Sequence, residues 1–214
     1  MTLLATDDGG YQPDEEPGLP RSIALGVAAV VGLNQHPASA RGPRPIVPLA
    51  EALFSGYRPA QIEGAYGIDQ LPPATPAARA VILEFASGYS QSDLDLFTAT
   101  MQLPSVRPIL HDVDGGANDG GTAAVDLEAT LDIEWLWAMA PGCDLHVIEA
   151  PSGASDGSFG LHLVHALAEA MNLGATVVSV SYGDAESHFP PAVLTAIDAM
   201  IVRLQKTGAD VFIA

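Results

Sequence analysis

The stretch NDGGTAAVDLEATLDIEWLWAMAPGCDLHVIEA, residues 118–150, places a helix pattern, a turn and a strand pattern in direct succession. Residues 125–140 are apolar on most sides of a helix, which is typical of a helix buried in a protein core. Pro141 and Gly142 interrupt this pattern, and residues 145–150 then form a short apolar run of strand length. A helix that leads through a tight turn into a buried strand is typical of an α/β protein.

The same alternation extends along the chain from Arg79 onward. Strands are predicted over residues 80–85, 107–113, 145–150, 176–182 and 210–214. Helices are predicted over residues 92–101, 125–140, 159–173 and 191–207, each with a Ser, Asp, Pro or Gly signal near one end. Alternating strands and helices indicate a parallel sheet with helices on both faces. We therefore predict a doubly wound, mostly parallel α/β fold.

The composition indicates a folded and strongly acidic protein. Of the 214 residues, 48% are hydrophobic and 16% are charged, which suits one main globular domain. The 26 acidic residues outnumber the 8 basic residues and give a formal net charge of -18. Nucleic acids and anionic membranes bind through Lys and Arg, so neither is an expected partner.

Residues that form disulfides or bind metals are sparse. A single cysteine, Cys143, excludes an intrachain disulfide framework and is expected to be a small packed residue. The six histidines are scattered and none has a partner at zinc-ligand or triad spacing. The loop HDVDGGANDGG, residues 111–121, lacks the spacing and the closing Glu of an EF-hand. We predict no metal site from these residues.

The first 48 residues differ from the rest of the chain. Residues 1–21 are acidic and rich in Gly and Pro, and are predicted to be a disordered leader. The apolar run 23–33 follows acidic residues and is too short to span a bilayer, so we predict a helix or docking segment, neither a signal peptide nor a membrane anchor. Residues 36–48 are Pro-rich and form an expected linker, so the main domain is predicted over residues 49–214.

Glu128 and Asp132 are the strongest candidates for chemistry. A helix places residues i and i+4 on one face, about 5–6 Å apart at Cβ, so two like charges are held close together. Such carboxylates can share a proton, which raises one pKa and gives a general base suited to acidic pH. An ordinary solvated helix face is the alternative, but the apolar neighbours disfavour it because burial of a carboxylate without a role is costly.

Further polar residues are predicted at the carboxyl ends of the strands, where active sites of parallel sheets collect. Glu84 lies at the end of the first strand of the alternating region. The segment SVSYGD places Ser181, Tyr182, Gly183 and Asp184 at the end of the fourth. We expect these residues to meet at one edge of the sheet.

Several motifs, taken in their order, resemble those of the sedolisins, serine-carboxyl peptidases with a fold similar to that of subtilisin. They are EATLDIE followed by APG, VILEF, SVSYGD and GADVFIA, with supporting matches at Tyr57, Pro59, Ile62, Ala65, Tyr66 and Gly67. Residues 22–48 resemble the tail of the family's propeptide, an expected partner of the domain. Tyr182, where many members have Trp, and the run SYGDAE are similar to the tripeptidyl-peptidase branch.

The resemblance implies roles for the candidate residues. Glu128 matches the glutamate that acts as general base toward a serine, and Asp132 matches the aspartate that orients it. Glu84, with Tyr182 beside it, matches a network that extends this pair in some members. Ser181, Gly183 and Asp184 are expected to bind substrate, a peptide or protein. In the tripeptidyl-peptidase branch Asp184 or Glu186 would hold its free amino terminus, and an ordinary surface role is the alternative for these two acidic residues.

The resemblance also shows what this chain lacks. The family's GDSG motif, with its oxyanion aspartate, and its GTSA-type serine do not occur in these residues. The family's calcium site near the carboxyl terminus is missing for the same reason. We therefore expect the N-terminal half of a catalytic domain, inactive by itself and continued beyond Ala214, from an acid-acting enzyme of an extracellular or acidic compartment.

Other classes of protein fit the sequence less well. A subtilisin would need an HGTH-like segment, which is absent. A nucleotide-binding domain would need a GxGxxG or GxxxxGK[ST] turn after its first strand, which FASGY at residues 85–89 does not provide. A catalytically inactive module that binds peptides or another partner remains the alternative to a peptidase.

Overall fold

The computed structural model describes residues 3–5, 11–13, 56–117, 126–153 and 155–213, which fall into two separate units. In the first unit, strand β1 (Leu3–Ala5) pairs antiparallel with β2 (Tyr11–Pro13). This part of the expected disordered leader is therefore paired, because its backbone groups satisfy one another across the two strands. The apolar run 23–33 and the linker 36–48 lie outside the described residues.

The second unit, Ser55–Ile213, is built on a five-stranded parallel sheet. Its strands in spatial order are β4 (Ile109–Asp112), β5 (Asp144–Ala150), β3 (Arg79–Phe85), β6 (Val177–Val180) and β7 (Asp210–Ile213). β3 and β5 are paired over seven residues and form the centre of the sheet. The strand predicted at residues 210–214 is the edge strand β7, and most of its residues are exposed.

Helices cover the two faces of the sheet. They are α1 (Pro59–Tyr66), α2 (Gln91–Met101), α3 (Asp126–Met139), α4 (Asp156–Asn172) and α5 (Pro191–Thr207), with short 3-10 turns at Ile68–Gln70 and Glu186–His188. Alternate strand residues such as Ile82 and Val147 pack toward α2 and α3, while Leu83 and Ile148 pack toward α4 and α5. The predicted doubly wound fold is confirmed. No helix in these described ranges is long and apolar enough to cross a membrane.

Two strands are shorter than predicted, and the differences shape the rim of the sheet. The second begins only at Ile109, since Pro108 lacks a backbone N–H to donate. The fourth ends at Val180, so Ser181 and Tyr182 lie beyond the last hydrogen-bonded residue of the strand. The carboxyl ends of β3 and β6 therefore open onto a polar site.

Gly116 is expected to be intolerant of a side chain. A Cβ at this position would lie 2.4 Å from the Glu149 carbonyl oxygen and 2.5 Å from Ala150 Cα, both backbone atoms of β5. We expect Gly116→Ala to lower the free energy of unfolding by about 1–3 kcal/mol, as overpacking does. Urea denaturation of the 214-residue chain measures this change.

The matched control is Gly64→Ala, within helix α1, where an added Cβ would meet no atom within 4 Å. Because alanine favours helix over glycine, this variant should gain up to about 1 kcal/mol. Equal effects of the two substitutions would contradict the close approach of Gly116 to β5.

Candidate functional site

Five side chains meet where the carboxyl ends of β3 and β6 face helix α3. They are Glu84, Glu128, Asp132, Ser181 and Tyr182. Glu84 is the next-to-last residue of β3 and is fully buried, on the face of the sheet that also carries Ile82. The three segments thus bring together the predicted pair and the predicted third carboxyl group.

Helix α3 carries Glu128 and Asp132 on a partly buried face. Ala129 and Ile133, one residue further along in each case, are fully buried and anchor the helix on the sheet. Leu127, by contrast, is 77% exposed, so the expectation of a helix buried on most sides is wrong at its amino end. The pair therefore lies at a boundary between core and solvent, where carboxylates can exchange protons.

Hydrogen bonds connect the carboxyl groups to the segment after β6. The Ser181 hydroxyl donates to Oδ2 of Asp132 at 2.5 Å. The Tyr182 hydroxyl donates to Oε2 of Glu84 at 3.0 Å. Two consecutive residues of one loop thus contact Asp132 and Glu84. Ser181, predicted to bind substrate, directs its side chain to Asp132.

Burial and mutual repulsion make Glu84 an unusual acid. Its pKa is raised from 4.5 to about 8, mainly by burial and next by the negative charge of Asp132, while the hydrogen bond from Tyr182 opposes the rise. Glu84 is consequently protonated at acidic and neutral pH. Tyr182 stays a hydrogen-bond donor in this range because burial raises the pKa of its hydroxyl as well.

The pKa values of Glu128 and Asp132 are also raised. Burial and then the charge of Asp132 raise the pKa of Glu128, and burial raises the pKa of Asp132. Hydrogen bonding to Ser181 lowers both pKa values and offsets part of the effect. Two carboxyl groups that ionise reluctantly and share one hydroxyl neighbour can hold and transfer a proton.

A cavity of about 390 Å³ lies beside this network. It is lined by Phe85, Ser152, Gly153, Ser155, Phe159, Tyr182, Gly183 and Asp184. One wall of the cavity is aromatic. The ring of Phe85 makes edge-to-face contacts with Phe159 and Tyr182, with ring centroids 4.9 Å and 5.4 Å apart. Sequence reasoning did not predict Phe85 and Phe159 in the site, although Phe85 directly follows Glu84 at the strand end.

Asp184 supplies a negative charge to this cavity. Its pKa is lowered chiefly by the hydrogen bond with His188, whose Nδ1 lies 2.9 Å from Oδ1 of Asp184, and further by the backbone N–H of Ala185. The carboxylate therefore stays ionised at moderately acidic pH. Glu186, the other predicted contact for an amino terminus, is not among the lining residues.

Four histidines occur in two groups that the sequence did not predict. Nδ1 of both His162 and His165 lies 2.7 Å from Oδ2 of Asp114, and Nε2 of His111 lies 2.8 Å from Nδ1 of His146. The signal for the first group is the i, i+3 spacing on α4. Across the parts of the chain that the structure describes, no group of three or more His, Cys, Asp or Glu residues is arranged to hold a metal ion.

Comparisons with known proteins found similarity in sequence and in fold. No family model matches the chain. Kumamolisin of Bacillus sp. (strain MN-32) is 28% identical over 212 residues, an alignment that covers 92% of this chain and 37% of kumamolisin. A structure of Pseudomonas sedolisin, a serine-carboxyl proteinase complexed with two molecules of pseudo-iodotyrostatin, matches with a TM-score of 0.55 at 20% identity.

The structural match covers 73% of this chain and 43% of the sedolisin chain, so the chain spans less than half the length of both proteins. The α/β fold is that of a sedolisin or subtilisin, and the chain corresponds to part of it. Together, the similarity in sequence and the similarity in fold support membership of the sedolisin family.

Proposed function

We propose that this chain belongs to an acid-acting peptidase of the serine-carboxyl type and supplies two of its three catalytic side chains, Glu128 and Asp132. The observation that carries the proposal is the carboxyl pair on α3. Asp132 accepts a hydrogen bond from Ser181 at 2.5 Å, and its charge acts on the buried Glu84. The similarity to kumamolisin over nearly the whole chain supports this choice over an unrelated acidic helix.

The proposed reaction is hydrolysis of a peptide bond. A serine from outside residues 1–214 attacks the carbonyl carbon, and Glu128 accepts the hydroxyl proton as the C–O bond forms. Glu128 then returns the proton to the leaving amine as the C–N bond breaks, and water releases the acyl group by the same route. Asp132 orients Glu128 and shares its proton, while Ser181 fixes the carboxylate of Asp132.

The cavity suggests how the substrate binds. Its aromatic wall, formed by Phe85, Phe159 and Tyr182, suits an apolar side chain of a peptide. The carboxylate of Asp184 attracts positive charge, which a free amino terminus would provide in a tripeptidyl-peptidase and a basic side chain in an endopeptidase. Gly183 places backbone groups beside the same cavity.

The remaining family properties are part of this proposal. The propeptide tail at residues 22–48 would be a partner of the domain, and calcium would bind in the portion of the protein that carries the family's carboxyl-terminal site. Activity at acidic pH in an extracellular or other acidic compartment agrees with carboxyl groups whose pKa values are raised.

A comparison of two polypeptides tests the proposal. The 214-residue chain and the product of the complete reading frame are assayed with fluorogenic peptides between pH 3 and pH 7. We expect hydrolysis only by a product that adds the GDSG and GTSA-type segments, because the nucleophile is otherwise absent. Binding of peptides without hydrolysis by both polypeptides would favour the interaction module. Hydrolysis by the 214-residue chain, lost in Glu128→Ala, would require a nucleophile within these residues and would contradict the assigned serine.

A further inference from the structure

The carboxyl group of Glu149, which no role in the proposed reaction requires, lies next to the site in the centre of the sheet. Glu149 belongs to β5 and pairs in register with Glu84 on the neighbouring strand β3. Both side chains are fully buried, with 0% of their surface exposed. A second buried carboxyl group beside Glu84 is costly unless it has a partner or a function.

Register and face bring the two carboxyl groups together. Parallel strands lie about 4.8 Å apart, and side chains alternate between the faces of the sheet. Glu84 shares a face with Ile82, and Glu149 shares the same face with Val147, so both point toward helices α2 and α3. Oε2 of Glu84 accepts the Tyr182 hydroxyl, whereas its buried Oε1 has no hydrogen-bond partner among the described residues.

The groups that act on Glu84 are acidic or phenolic. Asp132, Glu128 and Tyr182 act on Glu84 from α3 and from the segment after β6. Tyr89, in the segment after β3, is affected by the charge of Glu149, and the exposed Asp112 is the register neighbour of Glu149 on β4. No basic group is among those that act on Glu84 in the described part of the chain. The charge of Glu149 also raises the pKa of Glu84, and one proton shared between two adjacent buried carboxyl groups removes their repulsion.

We propose that Glu149 is a positioning residue that shares a proton with Glu84 and so keeps the Glu84 carboxyl group neutral beside Tyr182 and Asp132. The neutral group holds the Tyr182 side chain at the cavity and adds no negative charge to the helix pair. A charged Glu84 would favour the protonated forms of Asp132 and Glu128 and leave less of the general base ionised. The consequence for catalysis rests on the proposed peptidase function, whereas the sharing of the proton does not.

The test is a titration of the 214-residue chain by NMR with ¹³C-labelled glutamate side chains, in the wild type and in Glu149→Gln. Glutamine keeps the size of the side chain and removes its ionisation. We expect the Glu84 midpoint to fall by about one pH unit or more, the size of coupling that makes two sites titrate together. An unchanged midpoint would overturn the proposal. The control is Glu134→Gln, on α3 but not among the groups that act on Glu84, which should leave the midpoint in place.

Should Glu149→Gln not fold, the wild type still decides the question. Two coupled carboxyl groups show the same pair of midpoints in both resonances, whereas independent groups show one each, and the latter result would refute proton sharing. In the product of the complete reading frame, Glu149→Gln should shift the alkaline limb of the pH–rate profile without abolishing activity. If that product is inactive while the coupling is observed, the peptidase function fails and the proton-sharing pair stands.

Discussion

Replacement of Glu128 by glutamine is expected to lower kcat/KM at least about 100-fold in a polypeptide that joins this chain to the proposed serine. A positioned general base contributes about 10²–10⁴-fold to such reactions, and glutamine cannot accept the proton of the hydroxyl. The fold should survive, because Glu128 is only partly buried and a neutral amide resembles the protonated acid that burial favours. Steady-state assays at pH 4 measure the loss, and circular dichroism verifies the fold.

Asp132→Asn should also reduce the rate, since the amide can donate but no longer shares a proton with Glu128. It also alters the 2.5 Å contact in which Asp132 accepts the Ser181 hydroxyl. Glu134→Gln is the matched control: it is two residues further along α3, and its pKa is raised to about 7, first by burial and then by the charge of Asp93. Its carboxyl group is therefore already neutral at pH 4. A similar loss in the control and in Glu128→Gln would show that the substitutions had damaged the helix and had not removed the proposed general base.

The fold could be predicted because local patterns and tertiary structure agree from Arg79 onward. Short apolar runs and helical patterns define the strands and helices to within a few residues, and a parallel sheet follows from their alternation. The pair on α3 could be predicted for a similar reason, since i, i+4 spacing is a local property of a helix. Neither feature depends on knowing which distant residues touch.

The rest of the site depends on strand order and register, which the sequence does not express. Glu84 and Glu149 are 65 residues apart, and they become neighbours only because β3 inserts beside β5. Similarly, Ser181 reaches Asp132 only because β6 ends at Val180 and turns its next residues toward α3. From the sequence alone, Glu149 is a single polar residue in an apolar strand. Its place beside Glu84 becomes evident only from the register of the two strands.

Replacement of Glu84 by glutamine is expected to flatten the dependence of stability on pH. The folded-state pKa of Glu84, about 8, lies above its ordinary value of 4.5, so the folded chain binds this proton more tightly than the unfolded chain. Its contribution to the free energy of unfolding is complete below pH 4.5 and is lost as the pH rises toward 8. Glutamine mimics the protonated acid, so the variant should resemble the wild type at pH 4 and exceed it at pH 8 by on the order of 2–4 kcal/mol.

Urea unfolding at half-unit steps of pH between 4 and 8.5 measures this difference, and subtraction of the two curves isolates Glu84. The subtraction matters because His111 acts in the opposite direction: burial lowers its pKa, so its contribution is lost as the pH falls. Glu134→Gln again provides a control. Because the pKa of Glu134 is about 7, the difference in unfolding free energy between this variant and the wild type should stop growing about one pH unit below the point where the Glu84→Gln difference does. If Glu84→Gln and the wild type have the same free energy of unfolding at every pH, Glu84 must ionise in the folded chain as readily as in the unfolded chain. The neutral carboxyl group beside Tyr182 would then be ruled out, and the shared proton with Glu149 would be ruled out with it.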